Sequence, residues 1–220
     1  MTMPTPMPAN PLERVATYAV RDAILSAEEL AELLAFAVAH EPHFEASGVG
    51  STVTGTARLE ATIRASLMLP HKHFMPWRDR ITAIVKPLLP GILDELGLKP
   101  FDIERYEIEL ARHNDGEFYL RHIDTGTGVK TEIGGRRAVS LVYYFHAEPK
   151  AFDGGALRLY ALTREDIFVD VLPKQNRLVA FASWVPHAVM PISCRSGRFI
   201  DSRFAINCWV RMKPATPVAA

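Results

Sequence analysis

The chain has only two cysteines, Cys194 and Cys208, in 220 residues. Two thiols cannot build the multi-bridge framework of small secreted folds, so a reducing, cytoplasmic setting is the expectation. Charge of one sign is missing too: 25 basic side chains balance 25 acidic ones, and the formal net charge is zero. A protein that grips nucleic-acid backbone needs a basic footprint, so nucleic acid is not an expected partner. No stretch approaches the roughly 18 consecutive apolar residues of a membrane span. The opening MTMPTPMPANP has neither the charged start nor the apolar run of a secretory signal. Internal repeats are absent as well, which excludes solenoids and propellers.

What is present is enough apolar side chain, 48% of the residues, for a large core. The length suits one β-rich domain with added helices. Residues 1–11 read as a disordered Pro/Met-rich leader and 213–220 as a frayed tail. Between them lies a single domain, 12–212, with a mainly helical support over 12–100 and a β core over 101–212. Ser26 and Glu29 have the spacing of a capping box ahead of ELAELLAFAVAH, which predicts a helix. Pro76 suits a first helical position, so a second helix is predicted from there to Gly97, kinked or split at Pro87 and Pro90. Residues 51–69 read as a loop passing into a strand or short helix.

From residue 102 the chain changes character. DIERYEIELARH, EFYLRHID, RAVSLVYYFH, GALRLYAL, IFVDVLP, RLVAFAS, HAVMPIS and SRFAINCWVRM are short, rich in β-branched and aromatic residues, and bounded by turn formers. Such strands at near-regular spacing predict a double-sheet jelly roll or barrel, with the helices packed on the outer face of the larger sheet. The fold class expected is therefore α+β, mainly β. The Gly-rich segment 125–137 is long for a hairpin connection and reads as a mobile lid.

The chemistry centres on FYLRHIDTG. In an extended strand, side chains two apart share a face, so His122 and Asp124 project together. His187, in FASWVPHAVMPI, follows a strand and opens another apolar stretch. Two imidazoles and one carboxylate on one face of an octahedral ferrous ion leave three adjacent positions, two for a bidentate 2-oxo acid and one for O2. A closed four-ligand zinc site leaves none. Arg203, opening RFAINCWV, offers a planar fork suited to a carboxylate, with a surface strand arginine as the plain alternative. The other histidines have plainer readings. His40 and His43 flank a helix end, His71 and His73 are surface or packing residues, and His146 ends a strand at the rim. Trp184 suits either a wall of the site or the core, Gly154 and Gly155 a tight turn, and Cys208 a small core position.

The ordered set YLRHIDT, LVYYF, DGGALRLY, LVAFASWVPHAVMPI and RFAINCWV, over about residues 105–212, resembles the Fe(II)- and 2-oxoglutarate-dependent dioxygenases, in their prolyl-4-hydroxylase-like branch. The resemblance implies a double-stranded β-helix, cupin-like, with Fe(II), 2-oxoglutarate and O2 as cofactor and co-substrates and ascorbate as a candidate reductant. It implies iron ligation by His122, Asp124 and His187, and a clamp on the distal carboxylate of 2-oxoglutarate by Arg203, with Arg198 as runner-up. A tyrosine that assists this arginine falls by position on Tyr144; Tyr143 has the opposite parity. Where the family often has a tyrosine nine residues before the first ligand, this chain has His113, which is left open between 2-oxoglutarate, substrate and a turn-capping role. The implied reaction is hydroxylation of a prolyl residue, an amino acid or a small metabolite. The rival readings are a non-catalytic jelly-roll binding module and a cupin-like metal hydrolase or isomerase. The complete ligand set opposes the first, and the second has no use for a carboxylate clamp. Oligomeric state is not legible.

Overall fold

A computed structural model describes residues 10–50, 57–58, 61–126 and 135–214. Most of the expected leader, tail and lid lies outside the described residues. In chain order come β1 (Tyr18–Asp22), α1 (Ala27–Ala39), β2 (Glu45–Ala46), β3 (Val49–Gly50), β4 (Ala57–Arg58), β5 (Arg64–Ala65), β6 (Leu67–Leu69) and α2 (His71–Glu95). They are followed by β7 (Ile103–His113), β8 (Phe118–His122), β9 (Arg136–Phe145), β10 (Asp153–Gly154), β11 (Leu157–Tyr160) and β12 (Phe168–Val171). The chain closes with β13 (Arg177–Ala182), β14 (His187–Val189), β15 (Ile192–Ser193) and β16 (Arg203–Met212).

Helix α1 starts where its capping box predicts. The Ser26 hydroxyl accepts from the Glu29 amide at 3.2 Å, and the Glu29 carboxylate accepts from the Ser26 amide at 2.9 Å. Helix α2 differs from expectation at both its start and its middle. It begins at His71, behind Pro70, and runs unbroken through Pro76, Pro87 and Pro90 to Glu95. All three prolines are exposed, as are Lys72, Ala83 and Lys86, whose carbonyls lose their partners. An exposed face lets such carbonyls be solvated, while the buried stripe Phe74, Trp77, Ile81, Val85, Leu89 and Ile92 holds the opposite face down. The helix ends as expected, with Gly97 at φ +66°. The first hundred residues are less helical than predicted: β1 is an edge strand of the main sheet, and Arg64–Ala65 and Leu67–Leu69 are also strands.

Seven strands form the larger sheet, in the order β1-β13-β9-β16-β7-β6-β2. Five form the smaller, β12-β11-β14-β8-β5. The pairings between these named strands are antiparallel, and the two sheets face each other as a jelly roll. Alternation splits each central strand between two cores. Leu141, Tyr143 and Phe145 of β9, and Phe204, Ile206 and Cys208 of β16, pack outward with Leu33 and Ile92 of the helices. Val142 and Tyr144 of β9 and Ala205 of β16 pack inward with Leu157, Leu159 and Phe181. Burying each large aliphatic side chain contributes roughly 1.5–3 kcal/mol. Burial pushes the Cys208 thiol up to about 12, as suits an inert core residue. No helix among the described residues is long and apolar enough to cross a membrane.

Candidate metal centre and carboxylate pocket

The antiparallel pairing of β14 with β8 sets His187 directly opposite His122, with ring centroids 4.1 Å apart. Asp124, two residues past His122, turns back between them: Oδ1 lies 3.7 Å from His122 Nε2 and Oδ2 lies 3.5 Å from His187 Nε2. One ligand atom from each of the three residues lies within 4.8 Å of the others. Both imidazoles are aimed by the same device. The Nδ1–H of His122 donates to the Leu120 carbonyl at 2.8 Å, and that of His187 to the Val185 carbonyl at 2.9 Å. These partners assign the tautomers, so both Nε2 lone pairs face the centre. Burial, reinforced by His187, pushes His122 down to about 3, which keeps it neutral and able to ligate at physiological pH. For Asp124 burial acts upward, but the surrounding groups, the Arg137 guanidinium and the Ser140 hydroxyl among them, hold the carboxyl below its ordinary range. The donor set of two imidazoles and one carboxylate suits a divalent first-row ion with open positions.

The second half of the site lies on the inner face of the larger sheet. Arg203, at the start of β16, is opposite His113, at the end of β7, and both are buried. The guanidinium donates through NH1 to His113 Nδ1 at 3.4 Å and sits 4.7 Å over the Tyr144 ring. Burial, with Arg203 beside it, drives His113 well below its ordinary value, so the ring is neutral with its remaining proton on Nε2. Arg203 Nε, His113 Nε2 and Tyr144 Oη are all buried without a hydrogen-bond partner among the described residues. Three unsatisfied groups, each costing roughly 1–3 kcal/mol, mark a place built for an acceptor, and the buried cation makes an anionic acceptor the best match. Gly155 makes the room, because a Cβ there would stand 2.8 Å from Arg203 Cδ. Arg198, the runner-up, pairs with Asp201 at 2.8 Å and its side chain is 70% exposed, so it is not part of this pocket.

One cavity is lined by both halves, with Val142, Leu157 and Trp209 among its walls. Of the six residues named from the sequence, His113, His122, Asp124, His187 and Arg203 line it, and Tyr144 lies beside Arg203 without lining it. The sequence reading missed others. Tyr119 stacks on His122 at 3.6 Å, and Arg64, paired with Glu109 at 2.7 Å, has its guanidinium 5.1 Å from the Tyr119 ring centroid. Ser140 donates to Asp124 Oδ2 at 2.6 Å. Ser140 shares the parity of Tyr144 in β9, which places it on the inner face but does not say what it meets there. The remaining histidines stay outside. His40 bonds the Phe36 carbonyl, His43 stacks on His73, and His71 meets Arg78. His146, expected at the rim, is buried edge-on against Phe152 with Nδ1 on the Ala147 carbonyl. Trp184 is 45% exposed and neither walls this cavity nor enters the core.

Residues 108–211 match the family model described as the 2OG-Fe(II) oxygenase superfamily. An uncharacterized PKHD-type hydroxylase of Synechocystis is 39% identical over 136 residues, 59% of this chain. That match spans 44% of the relative's own length. A Pseudomonas putida prolyl-4-hydroxylase of known structure is 27% identical, with a TM-score of 0.63, over 89% of this chain and 93% of its own. A Trichoplax adhaerens prolyl hydroxylase, solved with a hypoxia inducible factor peptide fragment, is 20% identical; it shares the fold at a TM-score of 0.66, over 89% of this chain and 84% of its own.

Proposed function

We propose, from the match of residues 108–211 to the 2OG-Fe(II) oxygenase superfamily, that the chain hydroxylates an unactivated C–H bond, with iron held by His122, Asp124 and His187 and 2-oxoglutarate held by Arg203, Tyr144 and His113. The observation that carries this reading is the coincidence, in one cavity, of a preformed two-imidazole, one-carboxylate cluster with a buried, unsatisfied guanidinium. Bound ferrous iron, with 2-oxoglutarate and O2 as co-substrates, supplies the oxidising power, and succinate and CO2 are the co-products.

The chain's own groups do the rest. His122 and His187 present Nε2 lone pairs fixed by their carbonyl partners. Asp124 cancels one of the metal's charges. Arg203 and Tyr144 orient the far carboxylate of the keto acid, and the Nε2–H of His113 supplies a third donor. Val142, Leu157 and Phe181 keep water from that face. Among substrates a prolyl residue ranks first, because the Pseudomonas putida prolyl-4-hydroxylase aligns over nearly its whole length. Free amino acids and small metabolites follow.

Anaerobic addition of Fe(II) and 2-oxoglutarate is expected to give a visible charge-transfer band that His187→Ala abolishes. A folded protein without the band, or a band indifferent to the substitution, rejects the oxygenase reading. Succinate release screened against proline peptides, free amino acids and cell extract, with products weighed for one added oxygen, then ranks the substrates.

A further inference from the structure

A closed ring of hydrogen bonds ties the H-x-D segment to the strand that leads into His187. The amides of Asp124 and Thr125 donate to the carbonyl of Ser183, at 2.9 and 3.1 Å. The Asp124 side chain returns to the same residue by another route. Its Oδ2 accepts from Ser140 Oγ at 2.6 Å, and Ser140 Oγ lies 2.8 Å from Ser183 Oγ. Ser140 has one hydroxyl proton, and the ionised carboxylate takes it, so the Ser183 hydroxyl must donate to Ser140. Both serines are sealed from water, at 1% and 0% exposure. Ser183 in turn anchors its amide on Ala138 at 3.0 Å and lies four residues before His187. Among the described residues Asp124 Oδ1 has no hydrogen-bond partner.

We propose that Ser140 and Ser183 are positioning residues of the metal centre: they hold Asp124 as a ligand through one oxygen and lock its carboxylate to the backbone that carries the distal histidine. The inference rests on the metal centre proposed above. A short, charge-assisted hydrogen bond occupies Oδ2, so a metal meets a carboxylate whose rotation is already fixed. Without it, the carboxylate turns about χ2 and can offer both oxygens, which takes one of the positions that a keto acid and O2 require.

Co(II) is the probe, because its ligand-field bands report coordination number in the absence of turnover. Wild-type protein is expected to bind Co(II), and His187→Ala is expected not to; no uptake by wild type overturns the centre itself, before any serine is changed. Ser140→Ala is expected to weaken Co(II) binding by about 10–100-fold and to shift the ligand-field spectrum. Ser140→Thr, which keeps the hydroxyl, is expected to restore both. Ser183→Ala, which leaves Ser140 in place but removes its donor, is expected to shift both in the same direction by less, and it carries the test should Ser140→Ala fail to fold. Wild-type affinity and an unchanged spectrum in folded Ser140→Ala overturn the proposal.

Discussion

At Gly155 the backbone holds φ +69°, and the space a Cβ would take is filled by Arg203 Cδ at 2.8 Å and Ile192 Cγ1 at 2.8 Å. The arginine is itself buried and cannot retreat into solvent. Gly155→Ala is therefore expected to displace the guanidinium and to raise the 2-oxoglutarate concentration for half-saturation by about tenfold, equivalent to ~1.4 kcal/mol. Metal affinity should stay unchanged, because Gly155 is not in contact with the three ligands. An unaltered 2-oxoglutarate requirement would separate Arg203 from the co-substrate. Arg203→Lys should raise the requirement as well, since an ammonium keeps the charge but loses the fork. The legibility of the site follows the same division. His122, Asp124 and His187 could be proposed from residue chemistry and strand parity, whereas Arg203 gained its role, and Tyr144 and His113 entered, only through the resemblance of the ordered motifs, with His113 left open. Gly155 and Ser140 could be read only as a turn glycine and a strand serine. Their roles depend on which side chain arrives from another strand, and no local pattern encodes that.

Among the elements, eight strand segments from residue 102 onward were visible because alternation and turn residues bracket them; the two-residue β10 was not foreseen, and HAVMPIS divides into β14 and β15. The short strands before α2 were not: β1 is five residues long, has one fully buried side chain, and pairs with β13, more than 150 positions away. Helix α2 carries the clearer lesson. Local chemistry places a start at Pro76 and breaks at Pro87 and Pro90, yet the apolar stripe from Phe74 to Leu93 overrides all three. The helix thus tolerates a defect that it does not need. Pro87→Ala restores an amide donor to the Ala83 carbonyl and removes a ring clash on an exposed face, at the expense of a freer unfolded chain. A net stabilisation of about 1–2 kcal/mol is expected, read as a higher urea midpoint with an unchanged slope. A loss of stability would mean that the stiffening Pro87 gives the unfolded chain outweighs the restored hydrogen bond.

For the molecule as a whole, the buried imidazoles set the response to acid. His113, His122 and His146 are each held below the ordinary value of 6.5, with burial the largest cause in every case. The unfolded chain takes up protons near that value and the folded chain does not. Unfolded molecules therefore bind more protons as the pH falls, and stability declines in the same direction. For metal-free protein, moving from pH 7.5 to 5.5 is expected to remove about 1.4 kcal/mol for each imidazole that remains neutral in the fold. The lowered carboxylates, such as Asp22 and Asp124, add to this only at more acid pH, because their unfolded counterparts titrate near 3.8. A bound metal deepens the decline, since it stabilises the fold through the neutral His122 and is itself released as the imidazoles are protonated. Urea midpoints across this range test the claim directly. His146→Gln, distant from the metal centre, should reduce the slope without touching metal binding. A flat profile between pH 7.5 and 5.5 would mean that the three rings take up their protons inside the fold, which contradicts the neutral, metal-ready state of His122 on which the centre depends.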